Sequence, residues 1–336
     1  MTESFQLFNK GKYKVLNKDL ANPLGEGSYG TVFMVYKADS LPNDPKMVMK
    51  RISKSRLPHS CQYLLYEEVK AMEILRKVNA KHALYSIDHF EDKIYMYHIL
   101  PFCDGKDLKE YLKEKKFLPE NEARDFISQI VDGIFYLHTN GIIHRDIKPA
   151  NVLLNIINGK LECVVADFGF AKKSSIFKTK QIGTPATMAP EVINLQDGDH
   201  YDHKADIYSI GATFYKMLFG KFPYGTEEEI KIIGKNPLKI DKSFCLSKSC
   251  LSFLECCLQL DPANRPSITE LMNHPFIKEP VPYYLKLGLV RQKGNIDMFH
   301  TKKNLTDEVK SKSNANKLME PDARLEHWMR VCDHQW

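Results

Sequence analysis

The apolar residues of 62–78 recur at Leu65, Val69, Met72 and Leu75, a three-and-four spacing that predicts a helix with one face on a core. A longer stripe follows in 119–138. There Ala123, Phe126, Ile127, Ile130, Val131, Ile134 and Leu137 share a face, and Gly141 stands just past the end. Elsewhere in the first hundred residues the pattern is that of strands. Segments 32–38, 47–52 and 94–100 are β-branched and aromatic runs, the first two separated by the turn-forming stretch 39–45. Strands with one strong helix therefore come first and helices follow. At 336 residues the chain has material for about two domains or lobes and an ample core.

One stretch breaks the apolar pattern in a way that packing does not explain. Between the runs at 142–143, 152–154 and 164–166 lie His144, Arg145, Asp146, Lys148 and Asn151, with Asp167 immediately after. A fold that needed only a core would not set two carboxylates, an amide, an amine and a guanidinium beside buried strands, because each is costly to desolvate. The set suits phosphoryl transfer, which asks a protein for metal ligands, fixed positive charge and a carboxylate near the incoming hydroxyl.

The wording of that stretch is specific. HRDIKPAN at 144–151, DFG at 167–169 and APE at 189–191 resemble, in that order, motifs of the eukaryotic protein kinases. The resemblance covers roughly 20–278. It implies an α+β, two-lobed protein-kinase-like fold: a small antiparallel sheet lobe with one key helix (20–102) and a larger, mainly helical lobe (103–278). A leader, 1–19, and a tail, 279–336, lie outside it. The implied activity is transfer of the γ-phosphoryl group of ATP, with Mg²⁺, to serine and threonine hydroxyls of protein substrates. Asp146 is the implied proton acceptor and Lys148 the neutralising cation, its place in D-x-K-P-x-N resembling the serine/threonine class. Asn151 and Asp167 are the implied Mg²⁺ ligands, and His144 is implied to pack rather than to catalyse.

The small-lobe motifs agree. Leu24, Gly25, Glu26, Gly27, Ser28, Tyr29, Gly30, Thr31 and Val32 carry G-x-G-x-x-G-x-V and run into a strand. The glycines thus join two strands instead of opening a helix, which resembles a phosphate-covering loop and argues against a dinucleotide site. Lys50 falls where V-A-I-K has its lysine, and Glu68, rather than Glu67 or Glu73, matches its helix partner. The run 101–105 resembles the hinge, with Phe102 and Cys103 beside the base. Asp107 could serve the ribose or cap the helix that it opens. Glu191 with Arg265, and Asp206, match the family's structural anchors, and Thr226 with Glu229 reads as a capping box.

Val48, where the motif has alanine, and Pro101, which lacks an N–H, favour a rival reading as a pseudokinase that binds ATP and acts as a scaffold. Against it stand Lys50, Glu68, Asp146, Lys148, Asn151 and Asp167, all present. The activation segment 167–191 offers Thr179, with Ser174 and Ser175 behind it, as acceptor for an upstream activating kinase, and Thr184 for the substrate-hydroxyl pocket. Similar runs occur in calcium/calmodulin-dependent-like and autophagy-initiation kinases.

Composition removes other classes. Net charge is +6, and 286–317 alone carries eight basic and three acidic residues, so the rest is nearly neutral; nucleic-acid binding is not expected. No apolar stretch approaches a membrane span. Eight scattered cysteines without CxxC predict neither disulfide scaffold nor zinc site, and fit a cytoplasmic location. Within the tail, 286–317 reads as a basic linker. Leu325, Trp328, Met329 and Cys332 then predict an amphipathic helix that docks on the large lobe or on a partner.

Overall fold

A computed structural model describes residues 4–26, 30–41, 44–57, 62–168, 172–173, 184–194, 202–224, 229, 240, 246–279, 289–292 and 295–298. The strand-forming runs assemble into one antiparallel sheet. Its strands are β1 (Phe5–Phe8), β2 (Tyr13–Leu16), β3 (Gly25–Glu26), β4 (Gly30–Lys37), β5 (Met47–Ser53), β6 (Asp88–Glu91) and β7 (Tyr95–Pro101). The order is β1-β2-β4-β5-β7-β6, and β3 pairs with β4. Both faces are covered, which explains why these strands read as nearly continuous apolar runs. One face gathers Phe33, Val35, Met47, Met49, Tyr97 and Ile99 into a cluster with Tyr13 and Val15. The other face is set by the β5–β7 register: Val48 opposite Leu100, Lys50 opposite His98, Ile52 opposite Met96.

Helix α2 (Tyr63–Lys77) lies over that second face, and its Leu65 and Val69 pack on Ile52 and Met96. The predicted helix thus forms to within a residue at each end. It brings Glu68, 3% exposed, under the sheet.

His98 lies on the same face, and nothing in the sequence pattern marks it. It is fully buried, neither ring nitrogen has a hydrogen-bond partner among the described residues, and its strand neighbours are Lys50 and His89. Burial first, then the charges of Lys50 and His89, push its pKa down to about 3. The unfolded chain takes up a proton here below about pH 6.5, and the folded one does not until about pH 3. Stability is therefore lost as pH falls through that window, about 2 kcal/mol by pH 5. His98→Leu is expected to unfold about 1–2 kcal/mol later at pH 7 and to lose less stability between pH 7 and pH 5. Denaturant melts of both proteins at both pH values check this, and equal losses would refute it.

The larger half is built on two helices, α4 (Glu120–Thr139) and α6 (Lys204–Phe219). Helix α6 is apolar nearly all round and buried accordingly. It ends at Gly220, in the left-handed region at φ +70°, where a Cβ would lie 2.8 Å from the Lys116 carbonyl oxygen. Helices α1 (Asn17–Ala21), α3 (Leu108–Lys115), α5 (Pro190–Ile193), α7 (Lys248–Cys257), α8 (Ile268–Met272) and α9 (Pro275–Lys278) complete the described helical set. The Cys256–Cys257 pair lies in α7 with Cys257 in the core, as its apolar surroundings imply.

Three short strand pairs remain. Strand β8 (Ile142–Ile143) pairs with β11 (Lys172–Lys173). Strands β9 (Val152–Ile157) and β10 (Lys160–Val165) form a hairpin turning at Asn158 and Gly159, both at positive φ as a tight two-residue turn requires. In the tail, Leu289–Gln292 pairs antiparallel with Asn295–Met298, a hairpin inside the stretch read as linker. The second strand alternates in character, and Lys293-Gly294 stands between the two runs in the sequence, a turn signal within a charged segment. The amphipathic stretch around Trp328, Thr226 of the capping box, and Ser174, Ser175 and Thr179 lie outside the described residues.

Candidate active site

The hairpin β9–β10 does the first piece of positioning. Val152 pairs with Val165 at its base, and the Ala166 amide donates to the Asn151 carbonyl at 2.8 Å. Residues 16 positions apart in sequence, Asn151 and Asp167, thereby flank one end of a two-stranded ribbon. Asp167 sits at φ +64°, a conformation that non-glycine residues adopt at a cost and that a well-determined surrounding must hold.

Asp206, at the start of α6, performs the second. It is fully buried and accepts from the amides of His144 (2.8 Å) and Arg145 (2.9 Å), and from His138 Nε2 (2.8 Å). Burial alone would raise its pKa, but His138 and these amides hold the carboxyl below the usual range, so it is an anion. The backbone that it grips includes Arg145 at φ +71°. His144 is buried, accepts at Nδ1 from the Asp146 amide (3.3 Å) and donates from Nε2 to the Ala166 carbonyl (3.1 Å). Both nitrogens are engaged with backbone and its ring meets Phe168 edge-on at 5.4 Å, so His144 is a packing residue.

Asp146, 3% exposed, is thus presented on a fixed loop. Its Oδ2 accepts from Lys148 Nζ at 2.7 Å and Asn151 Nδ2 at 3.0 Å, and its Oδ1 from the Thr184 hydroxyl at 3.2 Å. Lys148 Nζ also donates to Thr184 Oγ1 at 2.8 Å. Asn151 Nδ2 donates besides to the Asp146 carbonyl (2.8 Å). Two acceptors on that side fix the amide's orientation and turn Oδ1 the other way.

Facing this from the small lobe is Lys50. Its Nζ donates to Glu68 Oε1 at 2.7 Å and reaches Asp167 Oδ1 at 3.5 Å. Burial pulls the ammonium's pKa down, but the Glu68 and Asp167 carboxylates outweigh it and the pKa is raised, so Lys50 stays charged. Glu67 instead pairs with Lys70 on the helix surface, so Glu68 is the partner. One ammonium thereby ties helix α2 to the residue that follows the hairpin.

The glycine loop joins antiparallel strands, Gly25 opposite Val32 and Glu26 opposite Thr31, and Leu24 N donates to the Val32 carbonyl at 2.8 Å. This geometry is not that of a strand-to-helix dinucleotide turn. A Cβ on Gly30 would sit 2.7 Å from the Arg51 carbonyl oxygen, which fixes glycine there; Gly27, Ser28 and Tyr29 lie outside the described residues. At the hinge, Phe102 N donates back to the Lys46 carbonyl (3.1 Å), and burial with the Asp104 charge pushes the Cys103 thiol up to about 11. Asp107 accepts from Glu110 N at 2.8 Å as the N-cap of α3.

Among the described residues no three His, Cys, Asp or Glu side chains cluster to hold a metal. Asn151 Oδ1 and the Asp167 carboxylate are hard oxygen donors of the kind that Mg²⁺ prefers, and as a pair they fit a cation completed by water and phosphate oxygens.

The scaffold beneath is held by Arg265, whose side chain is 0% exposed. It forks onto Glu191 at 2.7 and 2.8 Å, and its other donors reach the carbonyls of Gln259, Lys204 and Leu260 at 2.8–3.0 Å, so all five N–H groups are engaged.

Comparison with known proteins agrees with this geometry. The protein kinase domain family matches residues 19–277. Serine/threonine-protein kinase ULK3 of Xenopus laevis is 33% identical over 264 residues, covering 77% of this chain and 54% of the relative. Serine/threonine-protein kinase ATG1c of Arabidopsis thaliana is 30% identical over 267 residues, 77% and 35% of the two chains. Serine/threonine-protein kinase ULK1 of Homo sapiens is 33% identical over 279 residues, 80% and 25%. The chain belongs to the protein kinase family, and it spans about half the length, or less, of these relatives. No helix among the described residues is long and apolar enough to cross a membrane.

Proposed function

We propose that the chain is a serine/threonine protein kinase that transfers the γ-phosphoryl group of Mg-ATP to protein hydroxyls. The observation that carries this reading is the buried Asp146 carboxylate, sharing Lys148 and Thr184, set against the Lys50–Glu68–Asp167 chain. Bound Mg-ATP supplies the electrophilic phosphorus and a cation over the phosphate charge. Asn151 and Asp167 would hold the metal. Lys50 keeps a third N–H for a phosphate oxygen once Glu68 and Asp167 have taken two. Asp146 Oδ1, which the Thr184 hydroxyl contacts, is the position where a substrate serine or threonine hydroxyl gives up its proton. Lys148 offsets charge on the transferring group. Leu24, Gly25, Glu26, Thr31 and Val32 cover the nucleotide together with 27–30, and Phe102 and Cys103 flank its base. The cap role of Asp107 is compatible with a further contact to the ribose.

The domain boundaries that we propose are 20–102 and 103–278. Relatives named as ULK and ATG1 kinases support a reading of the chain within the autophagy-initiation group. We further propose activation by an upstream kinase at Thr179, and a reducing cytoplasmic location, supported by the described cysteines all being free thiols.

Transfer of radiolabelled γ-phosphate to a generic protein, followed by phosphoamino acid analysis, tests the reading. Label on serine and threonine is expected. Label on tyrosine would refute the specificity. ATP binding without transfer, even after incubation with an activating kinase, would make the chain a pseudokinase scaffold.

A further inference from the structure

The β1–β2 hairpin precedes the family's matched region, 19–277, yet it is built into the small lobe. Tyr13 and Val15 lie in the sheet's buried cluster, Tyr13 stacks on Phe90 of β6 with ring centroids 6.2 Å apart, and Phe8 meets Tyr97 at 5.8 Å. The hairpin and β6 stand at opposite ends of the sheet order, and among the described residues no strand pairing joins them. Asp88 of β6 joins them instead. Its Oδ2 accepts from Lys12 Nζ (2.7 Å), the Tyr13 hydroxyl (2.9 Å) and Asn9 Nδ2 (3.4 Å), so three donors of one hairpin converge on one oxygen. Burial would raise the Asp88 pKa, but Lys12 and Tyr13 hold it below the usual carboxylate range, so the group is an anion.

The other face of β6 is turned to helix α2. Asp88 and Phe90 meet the hairpin, and the alternate residues His89 and Glu91 meet the helix. Glu91 Oε2 accepts from the Tyr66 hydroxyl at 3.2 Å, and His89 Nδ1 lies 3.9 Å from Glu73 Oε1. Arg76 donates to the carbonyl of Ile87, just before β6, at 2.9 Å. The spacing of Tyr66, Glu73 and Arg76 sets them on one flank of α2, while Glu68 lies across the buried stripe from them. Lys54, which follows β5, adds an ion pair with Glu91 at 2.8 Å. Both sets of contacts meet at Asp88. While its Oδ2 holds the hairpin, its Oδ1 accepts from the His89 amide at 2.9 Å.

We propose, on the basis of the kinase reading, that the β1–β2 hairpin positions the Lys50–Glu68 pair through β6, with Asp88 as the positioning residue that links them. Helix α2 is held along two lines, by Glu68 on Lys50 and by the flank of Tyr66, Glu73 and Arg76 on β6. A helix held only by its apolar stripe can roll on it, because apolar contact is non-directional, and a roll carries Glu68 away from Lys50. The second line of contacts opposes that roll. Strand β6 is itself an edge of four residues paired with β7 alone, so its place depends on what closes against it. The hairpin supplies that closure. None of these links involves a group assigned to nucleotide or substrate, so Asp88 acts on phosphoryl transfer only through α2.

Amide hydrogen exchange and steady-state kinetics of the full chain test this, using the triple variant Asn9→Ala, Lys12→Met, Tyr13→Phe. It removes the hairpin's three donors to Asp88 and alters nothing in β6, α2 or the nucleotide cleft. The expected result is exchange about tenfold faster in α2 with α4 and α6 at wild-type rates. With it, kcat falls about tenfold while KM for the protein substrate stays within about twofold. Well below the melting temperature, a hairpin that only adds stability would leave kcat unchanged. Asp88→Asn weakens the same junction from the β6 side and serves if the triple variant does not fold. Lys14→Met is the control, since Lys14 donates to the Ala38 carbonyl and not to β6, and both readings should keep their wild-type values. Wild-type exchange in α2 beside a loosened hairpin, unchanged kcat despite a loosened α2, or the same effects from Lys14→Met would each overturn the proposal. Exchange needs no turnover. A wild-type chain without phosphate transfer would therefore refute the kinase reading, while exchange still decides whether the hairpin holds α2.

Discussion

Asp146→Asn is expected to lower kcat for phosphoryl transfer by about 10²–10⁴-fold, the range that a positioned general base contributes. The substitution is nearly isosteric, and the loop that carries residue 146 is held by Asp206 through backbone amides, so the geometry survives. What changes is chemical. The amide does not accept a proton, and its NH₂ group must face either Lys148 or the Thr184 hydroxyl, both of which now meet Asp146. ATP affinity should change little, because the nucleotide contacts assigned above lie on Lys50, Asn151, Asp167 and the glycine loop. Single-turnover rates beside nucleotide titrations separate the two effects. A loss below fivefold in a folded variant would remove Asp146 from the proton-accepting role.

Glu191→Ala is expected to cost about 3–5 kcal/mol of stability, because it strips the one carboxylate that, among the described residues, pairs with a guanidinium of no solvent access. Arg265 would keep its carbonyl acceptors, but these are dipoles and do not neutralise a buried cation. Replacing both partners, Glu191→Leu with Arg265→Met, should recover most of the loss, since two apolar groups leave no unpaired charge. Chemical denaturation of the three variants gives the result directly. A double variant as unstable as Glu191→Ala would mean that the damage comes from the lost packing of Arg265 over Tyr208 and not from charge.

Much of this site is legible in the sequence because its chemistry demands residue types at fixed order. Asp146, Lys148, Asn151 and Asp167 stand among apolar residues, where only function keeps them. The helix that carries Glu68 also announces its period, and the strand that carries Lys50 its β-branched and apolar composition. The pairing of Glu68 in preference to Glu67 follows from helix phase, since Glu68 shares the inward face with Leu65, Val69 and Met72. What stayed hidden depends on register and on the far side of elements. His98 sits in a strand whose alternation is masked by burial on both faces, so nothing in the sequence says that it faces Lys50. The role of His138 needs the crossing of α4 and α6. The β9–β10 hairpin carries a local signal, Asn158-Gly159, in the short connector between the two motifs. The tail hairpin was hidden by charge.

The β9–β10 hairpin bears on how such chains can vary in length. Asn151 and Asp167 stand at its open end, so their separation is fixed by the pairing of Val152 with Val165 and by nothing farther out. Residues beyond Leu154 and Cys163 run into exposed surface at Asn158-Gly159. The ribbon can therefore be lengthened by equal additions to both strands, or given an inserted peptide at its tip, without moving either oxygen donor. A single deletion within one strand is different, because it slides the ladder by one and turns every side chain beyond it to the opposite face. The tip is thus a natural place to graft a tag or reporter, and the base is where an odd change in length disarms the molecule.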